Sequence, residues 1–191
     1  MRPTALVLLV ALAGCSPPGV DRSSRAQAAA APSDRIVFPV DQPAFLPLPN
    51  GGRQPIRSLL NVPTRLHYGE FVWNDKGVRE GPRWIRVDLE RQMLSIFRGS
   101  DEIGTAVILY GADKKPTPRG RFTILAKMKD HRSSLYDAVM PYTMQLTGDG
   151  VAIHGSNVRE GAASHGCVGV PTEFARHLFA QVKVGDPVTI S

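Results

Sequence analysis

The strongest constraint on the fold of this chain is a period-two pattern that begins at Trp84. In Trp84-Ile85-Arg86-Val87-Asp88-Leu89, apolar and polar residues alternate, and the pattern repeats in Met93-Leu94-Ser95-Ile96-Phe97 after Glu90-Arg91-Gln92. Successive side chains of a strand point to opposite faces, so this alternation predicts two half-buried strands joined by a turn. Gly104 to Gly111 is apolar enough for a third strand buried on both faces. Phe122 to Met128 reads as a fourth strand, and Met144 to Leu146 and Val151 to His154 as two more. After Pro171-Thr172-Glu173 the period changes. Phe174, Ala175, Leu178, Phe179 and Val182 form one apolar stripe of a helix, which Gly185-Asp186 ends before a last strand at Pro187 to Ile190. The expected fold is mainly β, with one C-terminal helix before the last strand.

Upstream the pattern is different. Residues 36–82 carry seven prolines, at 39, 43, 47, 49, 55, 63 and 82. Proline disfavours helix and central strand, so an extended, turn-rich N-terminal extension is expected. One helical turn is expected around Arg57 to Asn61. Tyr68, Phe71 and Trp73 are expected to dock as a collar on the domain behind or to form a binding lip.

Met1 to Gly14 reads as a signal peptide: Arg2, then an unbroken apolar run from Ala5 to Ala13 that is too short for a stable membrane span. It ends in Leu12-Ala13-Gly14-Cys15, which resembles a bacterial lipobox and predicts lipidation of Cys15. Ordinary secretion with cleavage within Ala26 to Ala31 is the alternative. Ser16 to Arg35 is an Ala/Ser/Pro linker that would reach about 65 Å when extended. The expected organisation is signal peptide 1–14, lipidated Cys15 and linker 15–35, extension 36–82 and domain 83–191. Ser16 after the cysteine resembles lipoproteins sorted to the outer membrane of Gram-negative bacteria, which implies a periplasmic protein held to the membrane by lipid only.

The chain has two cysteines. With Cys15 lipidated, Cys167 is a lone exported thiol. It lies in Ser164-His165-Gly166-Cys167, thirteen residues after His154. Only a few per cent of an ordinary thiol ionises near neutral pH, so a nucleophilic cysteine needs a base, and a histidine at a strand end can supply one. Gly166 permits a tight backbone path with amides turned toward a substrate oxygen.

His154-Gly155, a short loop and Ser164-His165-Gly166-Cys167 resemble the signature of the L,D-transpeptidase catalytic domain, the YkuD-type cysteine enzymes of bacterial walls. The likeness extends to Thr117-Pro118-Arg119-Gly120-Arg121-Phe122, to Met140-Pro141-Tyr142 and over the run from Trp84 to the C-terminus. It implies a β-sandwich-like core and attack by Cys167 on the third residue of a tetrapeptide stem, with loss of D-Ala. It also implies His154 as base, oriented by the Gly155 carbonyl, and Gly166 and Cys167 amides as an oxyanion hole. His165 is expected to tune the thiolate or shape the turn, and Ser164 to hydrogen-bond within it. Tyr142 is expected either in the donor site or in the core. Arg159, Arg119 or Arg121 is expected to meet a stem carboxylate. The chain departs from the family at Gly169, where relatives usually carry Arg or Asn, and in a shorter loop between the motif halves. His131 and His177 stand apart from the motif, His177 as a surface residue, and Lys129 to Ser134 reads as a lid.

Four readings remain open: a transpeptidase acting on wall stems or on a protein acceptor, a carboxypeptidase using the same thioester, zinc on His154, His165 and Cys167, and a non-catalytic wall-binding lipoprotein. No organic cofactor is expected. The net charge of +6 suits an acidic polymer. With 7% aromatic residues and no nucleic-acid motif, nucleic acid is not an expected partner.

Overall fold

The computed structural model describes residues 34–49, 51–111, 115–133 and 137–191. The expected signal peptide, Cys15 and nearly all of the linker lie outside the described residues. In chain order the elements are β1 (Arg35–Val37), β2 (Ala44–Pro47), β3 (Arg53–Ile56), β4 (Ser58–Leu60), β5 (Phe71–Trp73), β6 (Arg83–Asp88), β7 (Met93–Arg98) and β8 (Asp101–Val107). They continue with β9 (Gly120–Thr123), β10 (Ala126–Met128), β11 (Thr143–Gln145), β12 (Ala152–Ser156), β13 (Val168–Pro171), α1 (Thr172–Gln181) and β14 (Pro187–Ile190). Among the described residues the fold is mainly β, with one helix before the last strand.

Two sheets share one core. The larger runs β1-β4-β8-β7-β6-β14-β9, with β5 also paired to β8. The smaller runs β10-β11-β12-β13. Ile85, Val87 and Ile96 from the first meet Met144, Ile153 and Val168 from the second, and Phe174 and Leu178 of α1 close the cluster. The alternation of β6 and β7 sets this up. In the antiparallel register Ile85 faces Ile96 and Val87 faces Leu94, so these four line the inner face.

The outer face of the same strands is covered by the extension. β1 and β4 lengthen the large sheet, and β5 pairs with β8 through Phe71↔Ala106 and Trp73↔Gly104. Phe71 is fully buried, its ring edge-on to Phe174 with centroids 5.6 Å apart. Ile56 packs with Trp84 and Phe97 on the outer face. Polar contacts fix the junction. Arg57 pairs with Asp101, Ser58 Oγ donates to Asp101 Oδ1 at 2.6 Å, and the Leu60 amide donates to the buried Glu102 at 2.9 Å. Burial pushes the Glu102 carboxyl above its usual range.

Four local expectations are corrected. Arg57 to Asn61 holds strand β4 rather than a helical turn, because Ser58 and Leu60 bury against β8. The third strand begins at Asp101, since Asp101 and Glu102 find partners in the extension. Phe122 to Met128 is two strands in different sheets. Between them the Ile124 amide donates to Asp186 O and the Leu125 amide to Gln145 O, so the chain crosses from one sheet to the other. His177 is on the surface only in part: one face of its ring stacks on Trp73 with centroids 5.1 Å apart, and 33% of the side chain stays exposed.

α1 has no basic residue in its last turn and no side-chain N-cap. Lys127, from β10, supplies its C-terminal partner: Nζ donates to Phe179 O at 2.7 Å and to Val182 O at 2.5 Å. Lys127→Met leaves these carbonyls without a charged donor and is expected to destabilise by about 1–3 kcal/mol, read as a lower midpoint in urea.

Candidate active site

The site is assembled where β12 and β13 lie side by side. They pair in parallel, with Ile153↔Val168, His154↔Gly169 and Gly155↔Val170 in register. Neighbouring strands are about 4.8 Å apart, so this register holds His154 close to the residue two positions past Cys167. β13 was not visible in the sequence. Its residues, Val168-Gly169-Val170-Pro171, are buried throughout and lack the alternation that marks a half-exposed strand.

Cys167 and His154 line a single cavity of about 410 Å³. His154 Nδ1 is 2.9 Å from the Gly155 carbonyl oxygen. A carbonyl only accepts, so Nδ1 carries the hydrogen and Nε2 keeps its lone pair. Burial holds His154 below its ordinary pKa, against the Gly155 hydrogen bond, and the nearby His131 charge adds to the depression. Cys167 moves in the opposite direction. Burial raises its pKa, the Ala152 amide and Lys115 oppose the shift, and Asp149 adds to it. The resting pair near neutral pH is therefore thiol and neutral imidazole. The thiol lies 3.6 Å from the Gly150 carbonyl, to which it can donate.

Ser164 holds the turn. Its hydroxyl donates to the Cys167 carbonyl and accepts from the Gly166 amide at 3.2 Å. In this structure the Gly166 amide, expected in an oxyanion hole, hydrogen-bonds within the turn. Gly166 itself adopts φ 103°, in the left-handed region that favours glycine. Gly111 permits the close approach of the next segment: a Cβ there would fall 2.8 Å from the Gly166 Cα. The Gly111 amide donates at 2.8 Å to the buried Thr117 hydroxyl. Thr117 of the Thr-Pro-Arg-Gly run therefore braces the segment at Gly111, which bridges to Ser164 of the turn.

Other expected residues are placed elsewhere. Tyr142 does not line the cavity. It sits at a turn with φ 56°, and its ring packs edge-on against Phe179 at 5.8 Å, leaving Met140 and Thr143 of that segment as lining residues. Arg159 is exposed and is not among the lining residues, because Val158 turns inward beside it. Arg119 borders a separate shallow cleft with Leu89 and Tyr110, and Arg121 points outward from β9. His165, more exposed, does line the cavity.

His131, Lys115 and Asp149 join the site although the motif gave no hint of them. His131 and Met140 flank a hairpin in which the Met140 amide donates to His131 O and Arg132 pairs with Asp137 at 2.6 Å. Residues 134–136 lie outside the described residues, and with them the end of the expected lid. At Gly169, a Cβ would fall 2.9 Å from the Ser156 Cβ. Ser156 thus occupies the space into which a side chain at 169 would project. Among the described residues, no three His, Cys, Asp or Glu side chains form a group that would hold a metal ion.

Comparison with known proteins gives the family. YkuD, described as the L,D-transpeptidase catalytic domain, matches residues 82–190, more than half of the chain. No curated protein sequence matches. Among solved structures, an L,D-transpeptidase from Mycobacterium smegmatis aligns at 23% identity and TM-score 0.54, over 57% of this chain and 58% of that one. A mutant of the Enterococcus faecium L,D-transpeptidase aligns at 26% and 0.54, over 59% and 50%. An L,D-transpeptidase solved with imipenem aligns at 22% and 0.52, over 57% and 58%. This chain covers less than two thirds of each of the three, and the likenesses below 25% identity show the fold alone.

Proposed function

The chain belongs to the L,D-transpeptidase catalytic domain family, and from that premise we propose that it is a cysteine acyltransferase of the bacterial wall, acting on peptidoglycan stem tetrapeptides. The observation that carries the reading is the hydrogen bond from His154 Nδ1 to the Gly155 carbonyl, which leaves Nε2 basic in the cavity that Cys167 shares.

The steps are these. The thiol sulfur attacks the carbonyl carbon of the third stem residue while Nε2 takes the thiol proton. The tetrahedral intermediate collapses, the C–N bond to D-Ala breaks, and the imidazolium returns its proton to the departing amine. A thioester on Cys167 remains. An acceptor amine from a second stem or a protein then attacks it, and the sulfur leaves and regains a proton. Water in place of the amine gives the carboxypeptidase outcome. The Cys167 amide is the candidate donor to the developing oxyanion. Lys115 lines the same cavity and is the candidate partner for the stem carboxylate, in place of Arg159, Arg119 or Arg121.

The apolar run from Ala5 to Ala13 and the sequence Leu12-Ala13-Gly14-Cys15 support lipid anchoring at Cys15 and a periplasmic location, with Ser16 favouring the outer membrane. Incubation with a carbapenem followed by intact-protein mass tests the nucleophile. The expected result is one covalent adduct on the wild type and none on Cys167→Ala. A folded, reduced wild type that forms no adduct overturns the proposal. Muropeptide products separate the acceptors: dimers indicate stem amines, and trimmed monomers alone indicate water.

A further inference from the structure

A second and larger groove, about 740 Å³, lies on the outer face of the large sheet under residues 59–68 of the extension. Its floor is polar although it is cut into a β-sheet: Arg86, Asp88, Ser95, Glu102 and Thr105 all line it. The registers explain the row, since Arg86 faces Ser95 and Ser95 faces Thr105 across three adjacent strands. Leu60, Leu66, Met93 and Val107 form apolar walls, and Tyr68, 37% exposed, lies on the rim with its hydroxyl 3.2 Å from Gln92 Oε1.

Three features define what such a groove would bind. First, its charges balance: Arg65, Arg86 and Arg91 face Asp88, Glu102 and Glu160. A polyanion or a polycation would meet as much repulsion as attraction, so the charge pattern fits a neutral, polar ligand. Second, Arg86 pairs with Asp88 at 3.0 Å while 13% of its side chain stays exposed, so the floor presents a charged donor already oriented by a carboxylate. Third, the groove reaches the loop between the two halves of the catalytic motif. Glu160 lines the groove and Ala163 lines the cavity of Cys167. Three residues span at most about 11 Å, so the two sites are near neighbours.

We propose that this groove binds the glycan strand of the wall, a β-1,4-linked chain of N-acetylated sugars, while the attached stem enters the cavity of Cys167. The inference rests on the acyl-transfer reading for the identity of the polymer. The chemistry matches: in that polymer amide linkage to the stem neutralises the sugar carboxylates, hydroxyl and acetamido groups suit the paired arginine and carboxylates, and sugar faces suit Tyr68 and the apolar walls.

The test is titration of the full chain with the tetramer of β-1,4-linked N-acetylglucosamine, by calorimetry. Saturable binding is expected, weakened about tenfold in Tyr68→Ala and in Arg86→Gln through loss of a stacking surface or a charged donor. Tyr68 is a rim residue, so its variant stays informative if Arg86→Gln fails to fold. Carbapenem capture by Cys167 should be unchanged in both. A wild type that captures carbapenem but does not bind the tetramer, or binds it equally well in both variants, overturns the groove assignment and leaves the enzyme reading standing. Tetramer binding lost in the variants, in a protein whose thiol is inert to carbapenem, upholds the groove and removes the enzyme. Displacement of the tetramer by a free stem peptide would reassign the groove to peptide and overturn the inference.

Discussion

His154→Gln is expected to slow acylation of Cys167 by about 10²–10⁴-fold and to change the form of its pH dependence. The wild-type dyad rests as thiol and neutral imidazole, because burial lowers the His154 pKa and raises that of Cys167. The reactive form needs the imidazole unprotonated. The sign follows directly: below its pKa the imidazole holds a proton and cannot take one from the thiol. Acylation by a carbapenem under kcat/KM-type conditions should therefore rise with pH through a midpoint below the ordinary histidine value of about 6.5 and then level off. Without the base only thiolate reacts. The variant's rate should climb with pH toward a midpoint above that of an ordinary thiol. Stopped-flow acylation from pH 5 to 10 reads both curves. A wild-type midpoint well above 6.5, or a variant with unchanged rate and profile, would exclude His154 as the base.

Phe71→Ala is expected to cost about 3–5 kcal/mol, the usual penalty for emptying a large buried aromatic site. Phe71 lies in the extension, yet it is 1% exposed, on strand β5 paired to β8, with its ring against Phe174 of the helix. Total stabilities of single domains run about 5–15 kcal/mol, so this one change removes a large share. Equilibrium denaturation would show a single shifted transition for the whole protein. A separate transition for the extension, with the remainder as stable as the wild type, would contradict the shared core. The exposed Tyr68, three residues away, serves as control, because truncation there empties no core site.

The two expectations concern different kinds of information. Much of the fold was legible because its causes are local. The alternation in Trp84 to Phe97 specified two strands and which side chains face inward, and the apolar stripe from Phe174 to Val182 specified the helix. The motif from His154 to Cys167 identified the dyad candidates because the nucleophile, its turn and its base lie within one short stretch.

Other parts depended on contacts far apart in sequence. Strand β13 carries no alternation because both of its faces are buried, so period two is absent. Strand β4 is a strand because β8 lies beside it, not because of its own propensity, and proline spacing could not reveal that partner. His131, Lys115 and Asp149 enter the cavity from three separate loops, and no spacing rule links them to Cys167. Tyr142 was open between site and core, and the ring of Phe179, thirty-seven residues on, decided it. The outer groove exists only because the extension folds back over the sheet. What the sequence determined by itself was the local periodicity and the reactive motif, since neighbouring residues impose these on one another. What only the tertiary structure decided was burial, and with it the shifted pKa values, the partners of the extension and the space around Gly169, because these depend on which distant segments exclude water from a given side chain.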